Sequence, residues 1–325
     1  MSTPGAVSTS RVSRNDLPTP EDWRIARRRD FLRRRARVVN SVRNFFVGRG
    51  YLEVETPHRI PAPAPECFIE AVPSGDWFLH TSPELCMKRL LVAGHARIFQ
   101  ICRCFRQGEF GSRHLPEFTM LEWYRAEADY RDLMSECEEL VTALAQDLDM
   151  PEGLIRGGRT IDIRKPWERL MLEEAFERYA PVSLDEALAV GTFDELMAFE
   201  VEPRLSMDRP VFICDFPVSL GALARRNSGN PEVAERFELY IGGLELVNAF
   251  SELTDAGEQR ERFLKEEAKR RAMGKRPYPM PEKFLHDLAK MPESAGAALG
   301  MDRLVMLFTG AEEIGDVVAF RPEEL

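Results

Sequence analysis

A pair of adjacent glycines inside an alternating apolar segment limits most strongly what this chain can fold into. In the segment 237–247, Gly242 and Gly243 separate two short runs of apolar and β-prone residues. Two glycines between such runs are typical of a tight β-hairpin, because the turn needs positive φ at both of its central positions. The sequence therefore predicts antiparallel sheet here.

The hairpin brings two acidic side chains together. In the register that a two-residue turn sets, Tyr240 opposes Glu245 and Glu238 opposes Val247. Glu238 and Glu245 are then diagonal neighbours on one face, within roughly 7 Å of each other. Unpaired carboxylates repel unless a cation joins them, and Mg²⁺ prefers hard oxygen ligands of this kind. Two glutamates on a solvent-facing side of the sheet explain the pattern equally well.

A second strand is predicted over the segment 117–124. Strand alternation places Phe118, Met120, Glu122 and Tyr124 on one face. At about 3.3 Å per residue, Phe118 and Glu122 stand roughly 13 Å apart, about the length of a nucleoside joined to an amino acid. A half-buried amphipathic strand without a ligand gives the same pattern.

A stretch of small residues, 296–300, precedes an apolar-periodic segment, 304–308. Small residues let a backbone or a ligand approach closely, and Arg303 at the start of a predicted helix is placed to meet an anion. A purely structural glycine-rich turn is the alternative interpretation.

The rest of the chain alternates between helical and extended patterns. Residues 1–20, rich in Ser, Thr and Pro, are expected to form a flexible tail, and residues 21–325 one domain. The predicted elements are helices over 23–46 and 130–148, an extended connection over 51–71, and strands over 98–106, 117–125, 212–216, 237–241 and 244–250. Residues 150–200 are expected to hold loops and short helices.

Composition excludes several classes of protein. The net charge of −10 argues against a surface devoted to polyanions. Six cysteines without CxxC pairs, Cys102 and Cys104 among them, are expected to be buried free thiols. No apolar stretch approaches the ~20 residues that span a bilayer, so we expect a cytoplasmic protein without membrane contact. Eight arginines between Arg24 and Arg37 are interpreted as a solvated helix face, with a docking patch for an acidic partner as the alternative.

Taken together, these segments resemble the signature motifs of class II aminoacyl-tRNA synthetases in the correct order. Residues 53–57 are similar to motif 1, 105–119 to motif 2 and 300–303 to motif 3, while 81–84 and 248–253 resemble substrate-pocket segments of the lysine-specific enzymes. The resemblance covers about residues 24–320. It implies an α+β catalytic core with an antiparallel sheet flanked by helices, and activation of a lysine-like amino acid by ATP with Mg²⁺.

The resemblance also implies a role for each matching residue. Arg106 and Arg303 are the expected catalytic residues, because Arg106 contacts the α-phosphate and Arg303 sandwiches the adenine with Phe118. The ATP-binding set is Arg106, Gln107, Gly108, Glu109, His114, Leu115, Phe118, Glu245, Leu246, Gly300 and Arg303. The amino-acid-binding set is Ser82, Pro83, Glu84, Glu122, Tyr124, Asn248, Glu252 and Ala298. The metal ligands are Glu238 and Glu245.

Two positions depart from the family pattern. The usual Arg-x-Glu of motif 2 becomes Arg106-Gln107-Gly108-Glu109, which displaces the glutamate by one residue. Leu115 replaces the asparagine that usually follows the motif 2 histidine.

The segment before motif 1 is too short for the anticodon-binding barrel of a lysyl-tRNA synthetase. The chain is thus similar to truncated paralogues of that enzyme that attach (R)-β-lysine to a lysine side chain of elongation factor P, and Ala298 is typical of that subfamily. The resemblance implies (R)-β-lysine or lysine as substrate, elongation factor P as acceptor, a homodimer and no anticodon-dependent tRNA binding. Another acceptor, such as tRNA or another protein, and a non-catalytic regulatory paralogue are the alternatives.

Overall fold

A central eight-stranded sheet organises the computed structural model, which describes residues 25–325. In spatial order its strands are β1 (Leu52–Glu53), β5 (Arg97–Phe105), β6 (Glu117–Ala126), β13 (Ser294–Gly300), β12 (Leu244–Ser251), β11 (Val233–Ile241), β10 (Val211–Pro217) and β9 (Glu168–Met171). Pairing is antiparallel from β5 to β10, and parallel between β1 and β5 and between β9 and β10. The predicted α+β sheet is confirmed, with parallel pairs added at both edges.

Smaller elements surround the large sheet. Its minor companions are a three-stranded sheet of β2 (Arg59–Ile60), β4 (Trp77–Leu79) and β3 (Pro73–Ser74) and a hairpin of β7 (Leu154–Arg156) and β8 (Arg159–Ile161). The α-helices are α1 (Arg29–Gly48), α2 (Glu84–Val92), α3 (Tyr130–Asp147), α4 (Leu172–Tyr179), α5 (Leu184–Val190), α6 (Phe193–Leu196), α7 (Ala256–Ala272), α8 (Glu282–Leu288) and α9 (Met301–Thr309). No helix of the described residues is long and apolar enough to cross a membrane.

The two faces of the large sheet have different tasks. Leu121 and Trp123 of β6 belong to the main hydrophobic core, which α1, α3 and α9 cover. The alternate residues Phe118, Glu122 and Tyr124 line a cavity on the opposite face. The period of two in this strand therefore separates a dry core from a candidate site, as its sequence predicts.

The β11–β12 hairpin shows one difference from the predicted register. Tyr240 pairs with Glu245 as expected, but Glu238 pairs with Asn248 and not with Val247. A bulge shifts the register between Leu239 and Tyr240. Because a bulge places two residues of one strand opposite one of its partner, the alternation is reset and both glutamates still border one side cavity.

The arginines at the amino-terminal helix were predicted to form a solvated face, but two of them make contacts inside the protein. Arg28 is only 4% exposed and donates to the carbonyl oxygens of Val318 and Ala319 at 3.3 and 3.2 Å. Arg35 donates to the buried carboxylate of Asp302 at 2.5 Å. These two arginines are structural, so the solvated-face interpretation holds only for exposed members of the set such as Arg33.

Most predicted elements are confirmed to within a few residues, but the segment 150–200 is not. Besides the expected short helices, it contains β7, β8 and the edge strand β9. The predicted tail, residues 1–20, and the start of the first predicted helix lie outside the described residues. All six cysteines are free, and every one except Cys86 is buried.

Candidate active site

A cavity of about 470 Å³ opens on the sheet face opposite the main core. Most of the predicted site residues line it, namely Ser82, Glu84, Arg106, Glu109, His114, Leu115, Phe118, Glu122, Tyr124, Glu245, Leu246, Asn248, Ala298, Gly300 and Arg303. The other predicted residues do not line this cavity. Gln107 and Gly108 are exposed to solvent, and Pro83 and Glu252 are buried in the protein. Glu238 lines an adjoining cavity. Four remote parts of the sequence, residues 82–84, 106–124, 245–248 and 298–303, therefore meet at one place.

Glu122 forms the floor at one end, which we call the amino-acid end. Its carboxylate is 1% exposed and accepts hydrogen bonds from Ser82 Oγ at 2.5 Å and from the Tyr124 hydroxyl at 2.7 Å. Burial raises the pKa of Glu122 to about 8, and the nearby charge of Glu84 adds to the effect. A buried carboxylate of this kind favours a cationic ligand, because a cation stabilises its ionised form.

Lys88 is a buried residue of this end that the sequence analysis missed. Its ammonium nitrogen lies 2.6 Å from Glu84 Oε1 and 2.5 Å from Glu252 Oε2, and the side chain is 1% exposed. Burial lowers the pKa of Lys88, but the Glu252 and Glu84 carboxylates raise it overall. The spacing of four between Glu84 and Lys88 on α2 is the one signal in the sequence that indicates this pair.

Glu252, which is predicted to receive a substrate ammonium, has a cationic partner of its own in the structure. Glu252 is completely buried, does not line the cavity and faces the protein's own Lys88. Burial raises its pKa to about 8, although Lys88 opposes that effect. Glu252 therefore supports the pocket through Lys88.

Gly296 lets Tyr124 and Glu252 come together behind the cavity. A Cβ atom on Gly296 would lie 2.2 Å from the Tyr124 ring and 2.4 Å from Glu252 Oε1. Such distances are far below ordinary contact, so only glycine fits at this point of β13.

Arg106 stands at the other end of the cavity, which we call the phosphate end. Its guanidinium lies 5.1 Å from the centre of the Phe118 ring and 3.8 Å from the Glu109 carboxylate. Its Nε is buried and has no hydrogen-bond partner among the described residues. A buried guanidinium donor without a partner fits an anionic oxygen of a ligand. Glu109, one position away from the usual family position, thus remains beside this arginine.

Arg303 contacts Glu245 of β12 and His114 of the loop between β5 and β6. It donates to the Glu245 carboxylate at 3.1 Å, and its Nη2 lies 2.6 Å from His114 Nε2. Burial, followed by the charge of Arg303, lowers the pKa of His114. His114 is therefore neutral near pH 7 and can accept a hydrogen bond from the guanidinium.

The two predicted metal ligands border an adjoining cavity of about 340 Å³, the side cavity, and Glu245 lines both cavities. Glu238 accepts from Arg236 at 2.5 Å and from the Tyr240 hydroxyl at 2.9 Å. Burial raises the pKa of Glu238 to about 7; the charge of Arg236 lowers it and that of Glu245 raises it. Two carboxylates that border one cavity, one of which, Glu245, also lines the main cavity, fit Mg²⁺, which completes its shell with phosphate oxygens and water.

Three further residues were missed by the sequence analysis. Arg236 links Glu238 to Asn248, to which it donates at 3.1 Å. Asp302, a buried residue of motif 3, accepts a hydrogen bond from the Thr119 amide at 2.7 Å and thereby joins motif 3 to motif 2. Glu66 borders both cavities, and desolvation by the surrounding protein raises its pKa to about 7. The partner of Asp302 lies 183 positions away in the sequence, whereas those of Arg236 lie 2 and 12 positions away within the β11–β12 hairpin.

Comparison with known proteins agrees with this arrangement. Residues 21–324 match the model of the tRNA synthetases class II (D, K and N). The chain belongs to this family of class II synthetases, whose members are ATP-dependent amino-acid ligases.

Individual relatives refine the comparison. The chain is 41% identical over 315 residues to the elongation factor P–(R)-β-lysine ligase of Enterobacter sp. (strain 638), with 89% of this chain and 94% of that protein covered. It is 42% identical over 316 residues to the enzyme of the same name from Sodalis glossinidius, with 90% and 95% covered. Lysine–tRNA ligase of Escherichia coli is 36% identical over 322 aligned positions, with 88% of this chain and 62% of that enzyme covered.

Proposed function

We propose that this protein activates (R)-β-lysine with ATP and transfers it from the adenylate to a lysine side chain of elongation factor P. Relatives that carry the name of this reaction match the chain over nearly their full length at about 41% identity. The lysine–tRNA ligase is matched over a smaller share of its length.

The charge balance of the amino-acid end is the observation that carries the proposal. Three buried or nearly buried carboxylates, Glu84, Glu122 and Glu252, share this end with one buried lysine, Lys88, which contacts Glu84 and Glu252. Fully ionised, they leave an excess of two negative charges in a place that water cannot easily solvate. A lysine isomer brings two ammonium groups, which supply the missing positive charge and hydrogen-bond donors.

The phosphate end suits the activation step. We assign the α-phosphate to Arg106, whose buried Nε lacks a partner, and the adenine to the space between Phe118 and Arg303. The amino-acid carboxylate attacks the α-phosphorus, the bond to the β-phosphate oxygen breaks, and pyrophosphate leaves. Arginines placed in advance stabilise the charge that develops on the phosphoryl oxygens.

Glu238 and Glu245 would hold the Mg²⁺ that accompanies ATP. When bound, this ion neutralises charge on the outer phosphates. Arg236 and Arg303 now bond to these carboxylates at 2.5 and 3.1 Å. We infer that ligand binding exchanges these arginine contacts for contacts to the metal and the nucleotide.

Transfer completes the reaction. An uncharged lysine amine of the acceptor attacks the carbonyl carbon of the adenylate, a C–N bond forms, the C–O bond to phosphate breaks, and AMP leaves with loss of one proton from the amine. Because elongation factor P is a translation factor, we place the reaction in the cytoplasm.

The decisive experiment follows the acceptor by intact mass spectrometry. Purified protein, ATP, Mg²⁺ and (R)-β-lysine should add one lysyl mass to elongation factor P and release AMP and pyrophosphate. An acceptor in which the modified lysine is replaced by arginine, and the Arg106→Ala variant, are the matched controls. Charging of lysine tRNA in place of elongation factor P would instead support the tRNA acceptor, and no pyrophosphate exchange with any amino acid would indicate a regulatory paralogue.

We further propose a homodimer that pairs through the motif 1 region. Strand β1 forms the edge of the large sheet, and Leu52 and the neighbouring Val47 expose 50% and 59% of their surfaces. An open edge with apolar side chains favours a covering partner. The apolar face of α1 does not contribute, because the chain's own α3 and α9 already cover it. Sedimentation that shows only monomer at micromolar concentration would contradict the dimer.

A further inference from the structure

A histidine and two cysteines meet just behind the floor of the main cavity. His80, Cys102 and Cys104 place their ligand atoms within 4.8 Å of one another, and no other such group of three is found among residues 25–325. All three are buried, with exposures of 1%, 8% and 0%. The period of two in β5 places both cysteines on one face, while His80 comes from the loop before α2.

The distance between the sulfur atoms fits a shared metal ion better than a disulfide. Cys102 Sγ and Cys104 Sγ are 4.0 Å apart. Two sulfurs at ~2.3 Å from a tetrahedral zinc ion stand about 3.8 Å apart. A disulfide requires about 2.05 Å. The sulfurs would therefore move by only a few tenths of an ångström to chelate a metal.

Gln100 supplies an independent observation. It lies two residues before Cys102 on the same face of β5 and is 2% exposed. Its Oε1 has no hydrogen-bond partner among the described residues. A buried oxygen without a partner is costly, so it indicates a missing ligand at this place. The amide oxygen is a suitable fourth donor beside one nitrogen and two sulfurs.

The hydrogen bonding of His80 also suits a metal. His80 Nε2 lies 2.6 Å from the Arg103 carbonyl oxygen, and a proton donated there keeps the lone pair on Nδ1. Metal-binding histidines commonly anchor their second nitrogen in this way.

We propose that His80, Cys102 and Cys104, with Gln100 as fourth donor, form a binding site for a soft divalent transition metal of the zinc type. Binding converts any protonated thiol to thiolate and releases its proton to solvent. The donor set of one imidazole and two thiolates selects zinc or cobalt over Mg²⁺. This site is separate from the carboxylates of the phosphate end, and the inference does not depend on the proposed reaction.

The position of the site gives it a structural task. Met120 and Ala298 line the main cavity and pack against the two cysteines. His80 stands two residues before Ser82, whose hydroxyl bonds to Glu122. A bound metal would therefore fasten the Ser82 loop to β5, next to the amino-acid end. It should raise the thermal midpoint of the folded protein.

Cobalt provides the direct test, because thiolate-bound Co²⁺ absorbs in the near ultraviolet. Reduced, chelator-treated wild-type protein should bind one Co²⁺ per chain with this band, and added Zn²⁺ should displace it. Cys104→Ser should lose the band, whereas the matched control Cys137→Ser, which changes a buried cysteine of α3, should keep it. A wild type without the band, or a Cys104→Ser variant that keeps it, would overturn the site.

A second variant distinguishes loss of the metal site from misfolding of the protein. Gln100→Leu removes only the proposed amide donor and should weaken zinc binding by about 10–100-fold, the usual size for a supporting ligand. Its circular dichroism and thermal midpoint without metal should equal those of wild type. Unchanged zinc affinity in Gln100→Leu, together with a zinc-induced thermal shift that survives in Cys104→Ser, would place any bound zinc elsewhere.

Discussion

The two ends of the main cavity handle charge in opposite ways. At the amino-acid end, Lys88 lies between Glu84 and Glu252 at 2.6 and 2.5 Å, and Lys88 and Glu252 are shielded from water while Glu84 is 13% exposed. At the phosphate end, Arg303 bonds to Glu245, whose side chain is 38% exposed. The first arrangement is a permanent part of the fold, whereas the second can open for a ligand. The difference separates residues that shape the pocket from residues that exchange partners during the reaction.

The largest expected effect is a loss of unfolding free energy when the ion pairs of Lys88 with Glu84 and Glu252 are removed. Lys88→Met removes the cation and leaves buried carboxylates without a partner, which typically costs about 3–5 kcal/mol of unfolding free energy. Denaturant unfolding measures this loss, and exposed Lys290 provides the control Lys290→Met. If Lys88→Met lost less unfolding free energy than Lys290→Met, the ion pairs of Lys88 would not be a stabilising part of the fold.

The same variant has a pH dependence with a definite sign. The folded-state pKa of Glu252 is raised to about 8, so its neutral form stabilises the fold at low pH and that contribution is lost as pH rises through this value. Without Lys88 the pKa rises further. The deficit relative to wild type should therefore be larger at about pH 8.5 than at about pH 6.

The second expected effect is a loss of activity, and it tests the phosphate end, where we infer that arginine contacts are exchanged for ligand contacts. Glu238→Gln keeps the volume and still accepts a hydrogen bond from Arg236, so the fold should persist, but one anionic metal ligand is lost. Pyrophosphate exchange at limiting Mg²⁺ should fall by on the order of 10²–10³-fold, as for loss of one preorganised electrostatic group. Glu232→Gln changes an exposed glutamate just before β11 and is the control. Rates near wild type would remove Glu238 from the metal site.

The glutamates of the two ends also show what the sequence can and cannot predict. The strands carrying Glu122 and Glu238 were predicted, because alternation and paired glycines are local signals. The family resemblance predicted that both ends meet in one cavity and that Glu252 receives the substrate ammonium, but it did not predict that Glu252 pairs with Lys88. Lys88 is 164 positions away in the sequence, and only the folded chain brings the two together. The bulge between Leu239 and Tyr240, which changes the partner of Glu238, was missed for the same reason, since it is a property of two paired strands.

The third effect concerns the affinity of the amino-acid end. Because burial raises the pKa of Glu122 to about 8, a cationic substrate must first find it deprotonated. The KM for lysine or β-lysine should therefore fall as pH rises from about 7 to 8.5, by up to about tenfold, and then level off. In Glu122→Gln the KM should be higher and this dependence should be flat. An equally steep profile in that variant would assign the titration to another group.

The smallest expected effect is on the choice between lysine isomers. Ala298 pairs with Asn248 on one side and Glu122 on the other, so its methyl group stands on the cavity floor between two residues of the amino-acid end. Moving an amino group from the α to the β carbon shifts a charge relative to that floor. We expect Ala298→Gly to favour α-lysine over (R)-β-lysine by about 1 kcal/mol, which is roughly fivefold. Ala295→Gly, on the core side of the same strand, controls for added backbone freedom. Pyrophosphate exchange with both isomers measures the ratio of kcat/KM values, and a ratio equal to that of wild type would mean that Ala298 only packs between strands.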